Sequence, residues 1–137
     1  MPFKREKWPE YILRLGVSGC FIGHGVFGVL IKTAWLPFFS FVGISPKVAY
    51  SLMPFVGVMD ICFGFISLLR PNFKLLLFMS LWAFWTALLR PLTGLSIWEF
   101  VERAGNYSVP LALAFLLDCT NDSAVPRERV LPRRLKP

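Results

Sequence analysis

The chain has 137 residues, of which 55% are hydrophobic, 16% aromatic and 17% charged, and its mean hydropathy is +0.59. A soluble domain of this length has too high a ratio of surface to volume to bury so much apolar area, which favours an integral membrane protein. The net charge of +7 does not come from a basic stripe mixed with polar residues, so we expect no nucleic-acid partner. The three cysteines, Cys20, Cys62 and Cys119, form no CxxC motif, and we expect no disulfide framework.

Four apolar segments approach the length of about 20 residues that a membrane-spanning helix needs. The first three are predicted at 11–31, 48–69 and 73–89, and the first is expected to stay uncleaved because no small-residue cleavage site follows it. The fourth, within YSVPLALAFLLDC, reaches a spanning length only with part of the preceding SIWEFVERAGN. We therefore predict an all-α, polytopic bundle of four transmembrane helices at residues 11–119, with an amphipathic entry to the fourth helix.

The distribution of basic residues predicts the orientation of this bundle. With four spans, both termini lie on the same side as the turn between the second and third helices. That side carries eleven basic residues: Lys4, Arg5, Lys7, Arg14, Arg70, Lys74, Arg127, Arg129, Arg133, Arg134 and Lys136. The other side carries four: Lys32, Lys47, Arg90 and Arg103. The positive-inside rule thus predicts a cytoplasmic N-terminus at 1–10 and a basic cytoplasmic tail at 120–137, in a membrane of the bacterial inner-membrane type.

The connection between the first two helices, KTAWLPFFSFVGISPK, is rich in aromatic residues. Aromatic side chains collect at the membrane–water interface, so we predict that this segment is interfacial and lies on or dips into the outer leaflet.

Glycines at helical spacing predict where the helices pack. Gly16, Gly19 and Gly23 share one face of the first helix, and Gly57 and Gly64 lie on one face of the second. Small residues allow close helix approach in membranes, so we expect these five glycines to mediate helix packing.

His24 is the one histidine of the chain and lies within the first apolar segment, and Asp60 lies close to the middle of the second. At 1.5 Å per residue they lie about 10 Å and about 17 Å from the outer ends of their helices, close enough for a direct or water-bridged pair. Both are expected to face the bundle interior, because an unpaired polar group in lipid is costly. The pair is either a structural contact that fixes helix register or a site that handles protons or binds a cofactor.

Trp82 and Trp85 lie near the centre of the third helix rather than at its ends. They either fill the core or stack on a flat hydrophobic ligand such as a quinone ring.

A polar cluster, WEFVERAGNYSVP, precedes the fourth apolar segment. Glu99 can pair with Arg103, and Glu102 with Asn106, because each pair is four residues apart on a helix. Pro110 predicts a helix break near Asn106. These charges lie at the same end of the bundle as His24 and Arg90, where they form either a solvated helix entrance or the mouth of a polar pocket.

The first helix, with Arg14, Gly19, Gly23, His24 and Gly25, is similar to the first helix of DoxX-like membrane proteins. The segment VGVMDICFGFISLL, with Asp60 followed four positions later by Gly64, resembles their second helix. The resemblance covers roughly residues 11–118 and implies a compact four-helix bundle. Some members of that family are partners of a catalytic subunit in quinone-linked sulfur oxidation or in oxidative-stress responses.

These observations support three hypotheses of function. The first is a non-catalytic membrane subunit or accessory protein that engages lipid, a quinone-like molecule, another membrane subunit or a second copy of itself. The second is a membrane oxidoreductase component in which His24 ligates haem or exchanges protons with quinone. The third is a small proton-coupled transporter that uses Asp60. We assign no catalytic residue and predict no metal site, because the chain has one histidine and no GxSxG, P-loop or HExxH motif.

Overall fold

The computed structural model describes residues 7–122, and the regular structure within them is helical. Four longer helices pack side by side: α1 (Trp8–Val29), α3 (Pro46–Leu69), α4 (Phe73–Leu92) and α6 (Ala104–Asp122). A 3₁₀ helix (Thr33–Trp35) and α2 (Leu36–Phe41) connect α1 to α3, and α5 (Ile97–Val101) connects α4 to α6. We call the end of the bundle that carries α2 and α5 the α2 end, and the opposite end the turn end.

Within the described residues, α1, α3 and α4 are long and apolar enough to cross a membrane. Their bounds lie within three residues of the predicted ones. The fourth, α6, has 19 residues and packs against α1 and α4, and its crossing of a membrane stays a prediction. Residues 1–6 and 123–137, which include most of the predicted basic tail, lie outside the described part of the chain.

Side-chain hydrogen bonds satisfy backbone groups at two helix ends. The Asn72 side chain caps α4 by accepting a hydrogen bond from the Leu75 backbone N–H at 2.9 Å. At the turn end, Arg14 of α1 donates to the carbonyl oxygen of Leu68 at 3.3 Å, which satisfies a carbonyl in the last turn of α3. The helix α4 runs past the predicted stop at Leu89 and includes Pro91 in its last turn.

The predicted helix break near Asn106 is wrong. The break lies between Val101 and Ala104, and both Asn106 and Pro110 are inside α6. The hydroxyl of Ser80 on α4 donates to the carbonyl oxygen of Tyr107 at 2.6 Å. Pro110 lacks an N–H, so the carbonyl oxygen of Asn106, four residues earlier, loses its helical donor. The Ser80 bond lies one residue further along and joins α4 to this turn of α6.

The prediction that Gly16, Gly19 and Gly23 form the packing face of α1 is corrected by the structure. A Cβ added to Gly19 or Gly23 would meet nothing within 4 Å, and one on Gly16 would make an ordinary 3.6 Å contact with Val109. The close crossing of α1 with α3 lies on another face, at Gly25 and Gly28. These residues face the partners that the sequence did predict on α3.

Those partners are Gly57 and Gly64. A Cβ on Gly57 would lie 2.5 Å from the Gly25 carbonyl oxygen, and one on Gly64 would lie 2.7 Å from Cγ1 of Ile22. Because the two backbones approach this closely, α1 and α3 form one tight pair.

The apolar core lies between α1, α4 and α6. Its buried members are Val17, Phe21, Leu76, Met79, Ala83, Leu113 and Ala114. By contrast, α3 and α4 are neighbours in the chain but touch at few points. Near the turn end they meet through Phe63 and Phe78, whose rings pack edge to face at 5.6 Å. Above this pair, toward the α2 end, the space between α3 and α4 is open.

Candidate ligand-binding cavity

A cavity of about 370 Å³ occupies this space. Its walls come from α1, α3, α4 and the start of α6, and the connection between α1 and α3 covers it. The lining is mostly aliphatic and aromatic, and includes Phe21, Leu52, Val56, Ala83 and Leu89. A concave, largely apolar space with a few polar groups is the usual form of a site for a small molecule.

The cavity gathers most of the residues that the sequence predicted for a ligand site or polar core. Seven of the nine line it: His24, Asp60, Trp82, Trp85, Arg90, Arg103 and Asn106. The other two, Glu99 and Glu102, bind the arginines at its rim. These residues come from α1, α3, α4 and the region around the beginning of α6 and are far apart in the sequence, so the fold brings together what the sequence could only propose.

The floor of the cavity is formed by Cys20, Asp60 and Trp82. Each is the lining residue of its helix that lies furthest from the α2 end. Asp60 is 8% exposed, and its Oδ1 atom has no hydrogen-bond partner among the described residues. The Trp82 indole supplies a polar contact to this carboxyl. Phe63 and Phe78 lie about one helical turn below Asp60 and Trp82, so an aromatic pair separates the floor from the turn end.

His24 lines the wall above the floor. Its Nδ1 atom is 2.9 Å from the carbonyl oxygen of Cys20, one turn earlier on α1. A carbonyl oxygen only accepts, so in this bond Nδ1 carries the proton, and Nε2 of the neutral ring is an acceptor. The imidazole stacks on the Trp35 ring, with centroids 6.2 Å apart and an interplanar angle of 17°.

The predicted direct contact between His24 and Asp60 is not present. No hydrogen bond or ion pair joins the two side chains within residues 7–122, although both line the same cavity. The reason is local: the helix that carries His24 already offers a carbonyl oxygen to its imidazole. The second predicted partner, the cluster of Glu99, Glu102 and Arg103, also makes no hydrogen bond with His24 in this part of the chain.

The rim of the cavity at the α2 end is charged. The Arg90 side chain is 13% exposed and binds Glu99 of α5 at 3.2 Å. The predicted pair of Glu99 and Arg103 is present, with an N–O distance of 3.6 Å. Glu102 pairs with Arg103 instead of the predicted Asn106. Two arginines thus share two carboxylates, and the rim carries little net charge.

The cover of the cavity comes from the segment that was predicted to be interfacial. Two residues after the end of α1, Ile31 adopts a left-handed conformation with φ of 53°, and the Lys32 N–H donates to the Phe27 carbonyl oxygen at 3.1 Å, as at many helix C-termini. The chain then turns back over the cavity, where the Phe38 ring lies 5.4 Å from the Arg90 guanidinium.

The sequence did not predict this covering role, nor the cavity residues that come with it: Trp35, Phe38, Phe39, Val42 and Ile44. It did not predict Cys20 or Thr86 either. The spacing of four residues between Cys20 and His24 was the available signal for a shared helix face. The covering aromatic residues carry no comparable signal, because an interfacial segment and a cavity cover have the same composition.

Comparison of the chain with family models, curated proteins and solved structures finds no match.

Proposed function

We propose that this chain is a non-catalytic integral membrane subunit or accessory protein that binds an apolar ligand of the quinone or lipid class in its cavity. The observation that carries the proposal is the cavity itself: about 370 Å³, lined mainly by apolar and aromatic side chains, with polar groups at its floor and rim. Apolar walls with a few placed polar groups suit a molecule that is mostly hydrocarbon and carries one or two polar atoms.

The helices around the cavity support a membrane location. Three of them are long and apolar enough to span a bilayer. Large apolar side chains lie on the outer faces, such as Phe55 at 75% exposed and Leu81 at 61%. Lipid or a partner subunit would cover them. The resemblance to DoxX-like proteins extends the proposal to a subunit of a quinone-linked redox complex, with both termini in the cytoplasm.

Tryptophan fluorescence offers a direct test. Trp35, Trp82 and Trp85 line the cavity, whereas Trp8 and Trp98 are 70% and 72% exposed. In a variant with Phe at positions 8 and 98, the remaining emission comes from the cavity. We expect a short-chain benzoquinone to quench this emission saturably in detergent micelles. Quenching that rises linearly, without saturation, would contradict the proposal.

Two valines on α3 give a matched pair of variants for this assay. Val56 lines the cavity, and Val58 is 53% exposed on the outside of the bundle. Val56→Phe should fill part of the cavity and abolish saturable quenching, while Val58→Phe should keep it. Equal behaviour of the two variants would show that the quinone binds elsewhere. A Soret band in the protein purified from native membranes would replace the proposal with a haem-ligand role for His24.

Purification from native membranes tests the accessory-subunit part of the proposal. We expect a specific membrane protein to copurify with the full chain in mild detergent, together with an extractable quinone or lipid, and mass spectrometry identifies both. A chain that purifies alone and free of such molecules would contradict the proposal.

A further inference from the structure

We infer that the ligand of this cavity donates a hydrogen bond to Asp60, and that it belongs to the class of hydroxylated apolar molecules such as alkylphenols. This inference rests on the proposed binding function and narrows the quinone or lipid class to its members that carry a hydroxyl group. It follows from the polar groups that the protein leaves incomplete, rather than from the size of the cavity.

Asp60 is the first such group. The side chain is 8% exposed, lines the cavity floor and has an Oδ1 atom without a hydrogen-bond partner among the described residues. A buried oxygen without a partner is destabilising, and bound molecules or ordered water usually satisfy such atoms. The terminal torsion of an aspartate is broad, so a small rotation brings either oxygen to the cavity.

His24 is the second group. Its Nδ1 donates to the Cys20 carbonyl oxygen at 2.9 Å, which leaves Nε2 of the neutral ring as an acceptor. No hydrogen bond to Nε2 is present within residues 7–122. The Trp82 indole contacts the Asp60 carboxyl, but Oδ1 of Asp60 on the floor and Nε2 of His24 on the wall are acceptor atoms without a donor in the described part of the chain.

A hydroxyl group matches these acceptors better than a carbonyl group does. A hydroxyl can donate to an ionised carboxylate, and it can both donate to and accept from a protonated carboxyl. A carbonyl or an ether only accepts, so it pairs with Asp60 in the protonated state alone and never with Nε2 of the neutral imidazole. At the rim, Arg90 and Arg103 are paired with Glu99 and Glu102, so the rim does not require an anionic ligand. Their Nε atoms are buried without a hydrogen-bond partner among the described residues, so the rim offers donors, and the preference for a hydroxyl group rests on Asp60 and His24 at the floor and the wall.

The experiment compares two probes that differ by one donor: 4-nonylphenol and its methyl ether, 4-nonylanisole. Dissociation constants are obtained by titrating the rise in unfolding temperature of the full chain in detergent. We expect the phenol to bind the wild-type protein about tenfold more tightly, the effect of one net hydrogen bond. In Asp60→Leu the ratio of the two constants should fall toward one, because the hydroxyl group loses the Asp60 acceptor and only Nε2 of His24 is left.

Two further variants keep the test decisive. Cys62→Ser changes an exposed residue on the same helix, and it should leave the tenfold ratio intact. Asp60→Asn keeps an acceptor oxygen and should retain part of the preference even where Asp60→Leu does not fold. Comparing ratios between variants in one detergent cancels the different partitioning of the two probes into micelles.

Equal binding of phenol and ether by the wild-type protein overturns the inference, and so does a tenfold ratio that persists in the Asp60 variants. Failure to bind either probe overturns it as well. The benzoquinone quenching assay with Val56→Phe and Val58→Phe does not depend on a donor in the probe. It therefore shows whether the binding function survives when the selectivity for hydroxyl groups does not.

Discussion

Gly25 and Gly57 bring the backbones of α1 and α3 into direct contact, since a Cβ on Gly57 would lie 2.5 Å from the carbonyl oxygen of Gly25. The atoms around this position belong to the backbone and cannot rotate away. Gly57→Ala should therefore force the two helices apart and destabilise the protein by about 1–3 kcal/mol. The measurement is the free energy of unfolding, from titration of the purified protein with SDS in mixed micelles.

Gly23→Ala is the matched control. A Cβ there would meet nothing within 4 Å, and alanine favours a helix over glycine by up to about 1 kcal/mol. This variant should be neutral or slightly more stable than the wild type. Equal free energies of unfolding for Gly57→Ala and Gly23→Ala would show that α1 and α3 do not cross at Gly57.

The crossing at Gly25 and Gly57 also shows what the sequence could predict and what it could not. Runs of apolar residues predicted α1, α3 and α4 to within a few residues, because membrane-spanning length is a property of one segment. The packing face of α1 is a property of two segments. Glycines occur on two faces of α1, and only the position of Gly57 on the neighbouring helix decides which of them is used.

The same distinction between one segment and two applies to the cavity. Sequence position and polarity were enough to select Asp60, His24 and the arginines as candidates, because charged and polar residues in apolar helices must face inward or find partners. The pairing among them was not predictable. His24 bonds to a backbone carbonyl on its own helix. Every residue has such a carbonyl, so the pattern of side chains does not predict which one a histidine will use.

Ser80 should stabilise the contact of α4 with α6. Its hydroxyl donates to the Tyr107 carbonyl oxygen at 2.6 Å in the part of α6 that Pro110 interrupts. Ser80→Ala should reduce the free energy of unfolding by about 1 kcal/mol or more, because the acceptor is left without this donor. Ser108→Ala, at an exposed position of α6, should change stability by less than about 0.5 kcal/mol. A loss of the same size in both variants would argue against the interhelical bond.

Glu99 should contribute more to stability than Glu102. Glu99 binds Arg90, whose side chain is only 13% exposed, so Glu99→Gln leaves a largely buried cation without its carboxylate. We expect a loss of about 1–2 kcal/mol, measured by the same titration. The Glu102 side chain is 62% exposed, and Glu102→Gln should have an effect of less than about 0.5 kcal/mol. A larger loss of stability in Glu102→Gln than in Glu99→Gln would show that the ion pair of Arg90 with Glu99 does not stabilise the fold.

Three engineered cysteines test the topology and the fourth span. Lys47 lies at the α2 end and Lys74 near the turn end, and both are exposed. In intact cells a membrane-impermeant maleimide should label Lys47→Cys but not Lys74→Cys, because the basic side is expected to be cytoplasmic. A cysteine added after Pro137 should also stay unlabelled if α6 crosses the membrane. Labelling of that cysteine together with Lys47→Cys would leave the protein with three spans and an external C-terminus.

His24 and Asp60 should act independently in the protein without ligand. His24 has its hydrogen bond to the Cys20 carbonyl oxygen and its stacking contact with Trp35, and neither depends on Asp60. The changes in the free energy of unfolding caused by His24→Phe and by Asp60→Leu should therefore add in the double variant to within about 0.5 kcal/mol. A bound molecule that contacts both residues changes this result, because each variant then also weakens the contact that the other residue makes. With saturating 4-nonylphenol the double variant should lose less than the sum of the two single losses. Strong coupling in the absence of any ligand would instead support a direct or water-bridged pair, and additivity with the phenol present would show that the molecule contacts at most one of the two residues.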